Sequence, residues 1–199
     1  MKLPTAYFGN IEFWTTALKN DCFEIEVHES FVKQSFRNKC EILGANGIIT
    51  LTANVVGRSK GTKTKDVVLD FRENWPQKHL HSIKSAYGHS PYFEYYIDDI
   101  EAFYSQIKEL NTLSEMNTKS LQLIKNILEI KQDFHLSESF TLPDKSDLIS
   151  QFKSGKKRLD YTPYYQTFSD RFSFEPNLCI LDLVLNSGNE TITYLKQQY

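Results

Sequence analysis

The sequence predicts an α+β fold, with a β-rich N-terminal third packed against several C-terminal helices. Two observations support this class. Apolar and polar residues alternate in the first third of the chain, whereas later apolar residues recur at helical spacing. Strands grouped ahead of helices favour α+β over a doubly wound sheet. The 199 residues are 40% hydrophobic and 24% charged, which is typical of a globular protein, so we expect one domain spanning residues 1–199.

The N-terminal elements follow from local patterns. Apolar residues at helical spacing predict a short helix over residues 10–19, and alternating apolar and acidic residues predict a half-buried strand over 23–27. Residues 40–56 are interpreted as a hairpin. Its turn is expected at Asn46-Gly47, which suits the two positive-φ positions of a type I′ turn. A short apolar strand at 67–71 completes the β-rich part, whose sheet we expect to be mixed or antiparallel.

The helical part begins with a segment bounded by Pro76 and Gly88, which predicts a helix over residues 76–87. A second helix is predicted from Ser90-Pro91 to about Leu110. The remaining predicted elements are a helix near 113–129, a late strand within 134–142, a helix at 146–153, a basic linker at 154–165, and an apolar helix at 178–186.

Charge and apolar content exclude several classes of function. The net charge of −2 and pI of about 6.2 argue against a general binder of nucleic acid or anionic membranes, which needs a basic excess. No apolar run approaches the roughly 20 residues of a membrane helix, and the N-terminus lacks the pattern of a signal peptide. Three scattered cysteines without metal-ligand spacing are expected to be free thiols in a reducing cytoplasm, with no metal or other cofactor.

Four sequence blocks carry a family resemblance. They are LPTAYFGNIEFW, FVKQSFRNKCEILGANG, WPQKHLHSIKSAYGHSPYFEYY and YYQTFSDRFSFEPNLCILDLVLNSG. Together they resemble the WbqC-like family, bacterial proteins associated with O-antigen and surface-polysaccharide biosynthesis. The chain departs from the family where Gly9-Asn10 replaces the usual prolines and where Cys179 replaces a common serine. The resemblance implies a cytoplasmic sugar-modifying or transferase role, but it carries no catalytic residue of its own.

The third block supplies the candidate base. On a helix that starts at Pro76, the side chains of His79, Ile83 and Tyr87 share one face. An imidazole exchanges protons near neutral pH, so His79 is the predicted catalytic residue. The alternative is a half-buried histidine bonded to a carbonyl. Tyr87 and Tyr92 are predicted to shape a substrate pocket, although such tyrosines more often belong to the core.

The second block supplies the candidate binding residues. If residues 33–37 form a strand, Lys33, Ser35 and Arg37 point to one face, where two cations and a hydroxyl suit an anionic ligand. The alternative is a solvated strand face. Asn38 would contact a sugar hydroxyl or stabilise a turn.

One further polar residue needs a partner inside the fold. Asp182 is surrounded in the sequence by apolar residues, so its carboxylate is expected to cap a helix or to pair with an arginine.

These residues lead to three functional hypotheses. The first is a transferase that moves an acyl or aminoacyl group onto an amino sugar, with His79 as base and the Lys33 and Arg37 cations binding phosphate or carboxylate. The second is a non-catalytic binding or assembly protein of the envelope-biosynthesis machinery, with protein partners. The third and weakest is a papain-like thiol transferase that uses Cys40. A concave pocket joining Arg37, His79 and Tyr87 would favour the first.

Overall fold

A computed structural model describes residues 1–56, 59, 61–142 and 161–198 of the chain. The predicted α+β class is confirmed: small sheets lie mostly in the N-terminal part, and helices make up most of the rest. The predicted helix at 146–153 and the first part of the 154–165 linker lie outside the described residues.

The described strands are β1 (Lys2–Pro4), β2 (Cys22–Glu26), β3 (Lys39–Gly44), β4 (Gly47–Thr52), β5 (Val55–Val56), β6 (Val68–Leu69) and β7 (Asp133–Leu136). The described α-helices are α1 (Ile11–Ala17), α2 (Trp75–Tyr87), α3 (Phe93–Gln106), α4 (Leu113–Ile127), α5 (Ile180–Ser187) and α6 (Glu190–Gln197). Two short 3₁₀ turns cover Thr64–Asp66 and Ile107–Glu109. The predicted helices 10–19, 76–87 and 113–129 are therefore confirmed to within a few residues, whereas α6 had no sequence prediction.

The largest sheet has the order β1-β2-β7, and all its strands are parallel. The register pairs Pro4 with Glu26 and Ile25 with Leu136, so the carboxyl ends of the three strands lie at one edge. Phe23 and Phe134 stack across the β2–β7 pair with ring centroids 5.6 Å apart. This edge positions the groove described below.

The predicted hairpin is formed by β3 and β4, which pair antiparallel with Gly44 opposite Gly47. The loop between them is Ala45-Asn46, so the predicted turn at Asn46-Gly47 is wrong. Of the two residues in that prediction only Gly47 has a positive φ, at 108°. The pairing of Gly44 with Gly47 fixes the loop one residue earlier than the Asn-Gly signal indicated.

The helices pack over one continuous core. Helix α4 begins with a capping box in which the Thr112 hydroxyl and the Glu115 carboxylate each bind the other's backbone N–H. Helix α5 is buried on every side from Ile180 to Leu185, which explains its nearly uninterrupted apolar sequence. In the described part of the chain, no helix combines the length and the apolarity needed to cross a bilayer.

Candidate functional site

His79 lies on the inner face of α2 and is only 5% exposed. Its Nδ1 is 3.1 Å from the hydroxyl of Tyr7, which in turn contacts the hydroxyl of Tyr104. Burial lowers the pKa of His79 to about 4, although a hydrogen bond with the Thr52 backbone acts in the opposite direction. The ring of Trp75 covers it further, with centroids 5.0 Å apart. His79 is therefore neutral at pH 7 and enclosed, and its role as base stays a prediction.

The segment 33–38 forms turns rather than a strand, so the prediction that Lys33 and Arg37 share a strand face is wrong. The physical reason is a reversal at Gln34, which has a φ of 55°. Lys33 is exposed, whereas Arg37 is 1% exposed and binds both carboxylate oxygens of Glu29, at 2.6 and 2.8 Å. Binding of a ligand by Arg37 would require Glu29 to be displaced.

Two predicted binding residues do meet at a surface groove of about 710 Å³ beside the β3–β4 hairpin. Lys33 and Asn38 line it together with Thr52, whose backbone contacts His79 on the inner side. Asn38 donates from Nδ2 to the Ala53 carbonyl at 3.1 Å, so its side chain also holds the end of the hairpin. The structure thus brings Lys33 and Asn38 together.

The two predicted tyrosines occupy different environments. Tyr87 is fully buried and donates its hydroxyl to Asp182 Oδ1 at 2.8 Å. Asp182 also accepts hydrogen bonds from Tyr164 and Gln166, so the expected helix cap or arginine partner is wrong. Burial raises the pKa of Asp182, against the effect of these three donors. Tyr92 is half-buried and lines a separate groove near α5 and α6.

Arg37, His79 and Tyr87 are all enclosed in the protein interior, at 1%, 5% and 0% exposure. They therefore do not form the walls of a common concave pocket, which was the observation that the first hypothesis required.

Cys40 is also buried, and burial raises the pKa of its thiol well above the ordinary value, as does the neighbouring Cys179. A thiolate nucleophile is disfavoured in such surroundings.

A different set of polar residues gathers at the carboxyl ends of the parallel strands, the edge at which ligands bind in open parallel sheets. Glu26 ends β2, His28 follows it by two residues, and Ser137 comes directly after β7. A groove of about 720 Å³ opens at this edge, and its walls include His28, Ser137, Lys65 and Lys119. We call it the strand-end groove.

Ser137 links the other two side chains by hydrogen bonds. Its Oγ donates to Glu26 Oε1 at 3.0 Å, accepts from the backbone N–H of Val27 at 3.1 Å, and lies 3.1 Å from His28 Nδ1. A hydroxyl has one hydrogen and two lone pairs. Because its hydrogen goes to Glu26, Nδ1 of a neutral His28 must carry the hydrogen, and Nε2 keeps its lone pair. The Glu26–Ser137–His28 cluster therefore sets the tautomer of the imidazole.

Two lysines and one glutamate supply the charged side chains of the strand-end groove apart from His28. Lys65 and Lys119 are exposed, and neither forms an ion pair with any described carboxylate. Glu115 also lines the groove, and its Oε2 accepts the backbone N–H groups of Thr112 and Asn111, which lower its pKa and keep the carboxylate ionised. The two ammonium groups therefore outnumber this one carboxylate. Two ammonium groups beside an imidazole suit a phosphate-bearing ligand. Across the described residues, no three His, Cys, Asp or Glu side chains group closely enough to hold a metal ion.

The sequence did not predict Glu26, His28 and Ser137 as site residues. Glu26 and His28 stand at the end of a correctly predicted strand, which is a weak signal by itself. Ser137 is 111 positions away from Glu26, and only the parallel pairing of β2 and β7 brings them together. No local pattern reports such a pairing.

The fold and this groove define an α+β protein with a Glu–Ser–His cluster and two lysines at the carboxyl edge of a small parallel sheet. The chain belongs to the WbqC-like protein family, whose model matches residues 5–159. The Glu26–Ser137–His28 cluster, Lys65 and Lys119 lie within this range, whereas α5, α6 and the fourth resemblance block lie beyond it. Neither a comparison with curated proteins nor one with solved structures gives a match.

Proposed function

We propose that this protein is a cytoplasmic transferase of surface-polysaccharide biosynthesis, which moves an acyl or aminoacyl group onto the amine of an activated amino sugar. The observation that carries the proposal is the strand-end groove, where the His28 imidazole and the Lys65 and Lys119 ammonium groups line one cavity. Membership of the WbqC-like family supports a role in surface-polysaccharide biosynthesis. The residues of the strand-end groove support group transfer to an amine.

The reaction assigns a separate task to each group. The amine nitrogen attacks the carbonyl carbon of a thioester or ester donor, forming the C–N bond. The bond between that carbon and the donor's sulfur or oxygen breaks, and its electron pair stays on that sulfur or oxygen, which departs as the leaving group. His28 Nε2 takes the proton released by the amine and returns it to the leaving group. The phosphate groups of the activated sugar bind Lys65 and Lys119.

Glu26 and Ser137 act as positioning residues. The hydroxyl of Ser137 keeps the hydrogen on Nδ1 of His28, and Glu26 holds that hydroxyl in place. When the His28 imidazole is neutral, this arrangement leaves Nε2 as its proton acceptor. A hydrogen bond at one ring nitrogen of a histidine commonly sets the role of the other in this way.

A thermal-shift screen against nucleotide sugars, acyl thioesters and aminoacyl esters tests binding. A ligand at a hundredfold excess over its Kd stabilises the native state by about 2.7 kcal/mol. We expect a nucleotide sugar to raise the Tm, and we expect Lys119→Ala to abolish the shift. Lys78→Ala is the matched control because Lys78 lies on α2, outside the groove. Equal shifts in the two variants would exclude phosphate binding at Lys119.

A turnover assay with the ligands so identified then tests the base. His28→Gln should lower kcat by about 10²–10⁴-fold, the usual contribution of a general base. His79→Gln removes the imidazole that the sequence singled out and should leave kcat within a few-fold. The reverse result would return the role of base to His79 and refute the strand-end groove as the reaction site.

The second candidate function is a non-catalytic binding protein of the same machinery. It is favoured by the enclosure of Arg37, His79 and Tyr87, which leaves none of these three groups available to a substrate. Ligand binding without turnover, with the same affinity in wild type and His28→Gln, is the outcome expected for it.

A further inference from the structure

A third groove lies on the C-terminal part of the chain. It has a volume of about 780 Å³ and is bordered by the start of α3, residues 162–165, the end of α5 and one face of α6. Its aromatic walls are Tyr92, Tyr164, Tyr165 and Tyr194. Its volume is within the range of small-molecule sites, which is about 300–1,000 Å³. We call it the tyrosine groove.

The tyrosine walls are held in place from behind. Tyr164 donates its hydroxyl to the fully buried Asp182, and its ring packs edge-on against Tyr194 with centroids 5.1 Å apart. Tyr194 donates its own hydroxyl to the Thr162 carbonyl at 2.6 Å. The buried carboxylate therefore has a structural purpose, since it fixes the orientation of an aromatic wall before any ligand arrives.

The charge of the tyrosine groove is opposite to that of the strand-end groove. Glu190 is the charged side chain among its described lining residues. Among the residues that the structure describes, neither lysine nor arginine lines it. Asn186 adds an amide to the polar wall. A phosphate would be repelled here, whereas an ammonium group would be attracted.

We propose that the tyrosine groove binds a saccharide that carries a free amine and no phosphate. Tyrosine rings accept the apolar face of a sugar ring. The hydroxyls of Tyr164 and Tyr194 are bound within the protein, so these two side chains contribute ring surface to the groove. Glu190 contacts the amine. This site is separate from the strand-end groove and does not depend on the transferase proposal, since a saccharide could bind here whether or not His28 performs chemistry.

NMR titrations with glucosamine, glucose and glucose 1-phosphate test the proposal. Glucosamine should bind more tightly than glucose, and glucose 1-phosphate should show no binding at this groove. Tyr165→Ala should weaken glucosamine binding by about three- to tenfold through lost ring contact. Because Tyr165 is 57% exposed, this change should leave the fold intact. Glu190→Gln should weaken glucosamine binding by about two- to fivefold and leave glucose binding unchanged.

Two controls separate this site from the first. Glu73→Gln removes an exposed carboxylate outside the groove and should have no effect. Lys65→Ala should not alter glucosamine binding, and Tyr165→Ala should not alter phosphate binding at the strand-end groove. Equal glucosamine affinity in wild type and Tyr165→Ala would overturn the proposal, as would tighter binding of glucose 1-phosphate than of glucosamine at this groove.

Discussion

The low pKa of His79 predicts how the stability of this protein depends on pH. Burial lowers that pKa from 6.5 to about 4 in the folded state. Between these values the unfolded chain takes up a proton that the folded chain does not. The contribution of neutral His79 to the free energy of unfolding is therefore fully present above about pH 6.5 and is lost as the pH falls towards 4.

The magnitude follows from the same two values. At about 1.4 kcal/mol per pH unit, the difference between 6.5 and about 4 corresponds to a total loss of about 3–4 kcal/mol. At about pH 5 the loss is about 2 kcal/mol relative to about pH 8. For a domain of ordinary stability this is a substantial fraction of the free energy of unfolding.

Urea unfolding of wild type and His79→Gln at about pH 8 and about pH 5 measures this effect. Other titrating groups are common to both proteins, so their contributions cancel in the difference. That difference should change by about 2 kcal/mol between the two pH values, with wild type losing more on acidification. Parallel pH dependence of the two proteins would refute the reasoning, because it would mean that His79 titrates as it does in the unfolded chain.

Two further predictions concern stability in urea at about pH 8. Glu29→Gln should lower the free energy of unfolding by about 3–5 kcal/mol, because the buried guanidinium of Arg37 loses the carboxylate it contacts. The control is Glu73→Gln, which removes a carboxylate from an exposed ion pair and should change the free energy of unfolding little. Gly188→Ala should lower the free energy of unfolding by about 1–3 kcal/mol, because the new Cβ would overlap the Tyr92 ring and the φ of 53° disfavours a side chain. An unchanged urea midpoint would contradict the close packing of Gly188, at the end of α5, against Tyr92.

The local elements were predictable because their signals are local. The helix expected at 76–87 is observed at Trp75–Tyr87, since a proline at its start and helical apolar spacing act over a few residues. The strand predicted at residues 33–37 is not observed, because the conformation of this segment depends on a distant contact. The reversal at Gln34 directs Arg37 inward to Glu29, and no alternation within the segment indicates that partner.

The candidate site shows the same division. The sequence indicated residues by their chemistry, and so selected His79, Arg37 and Tyr87, which the fold encloses. His28 was not predicted as a site residue because a single histidine after a strand forms no distinctive sequence pattern.

The α+β class, the spans of most helices and strands, and the resemblance to the WbqC-like family could be inferred from the sequence. The burial of particular polar groups and the meeting of strand ends depend instead on how the elements pack. The physical reason is that periodicity and capping act within one or two turns of chain. The Glu26–Ser137 contact instead depends on a parallel pairing across 111 positions, which the packing of the whole core stabilises.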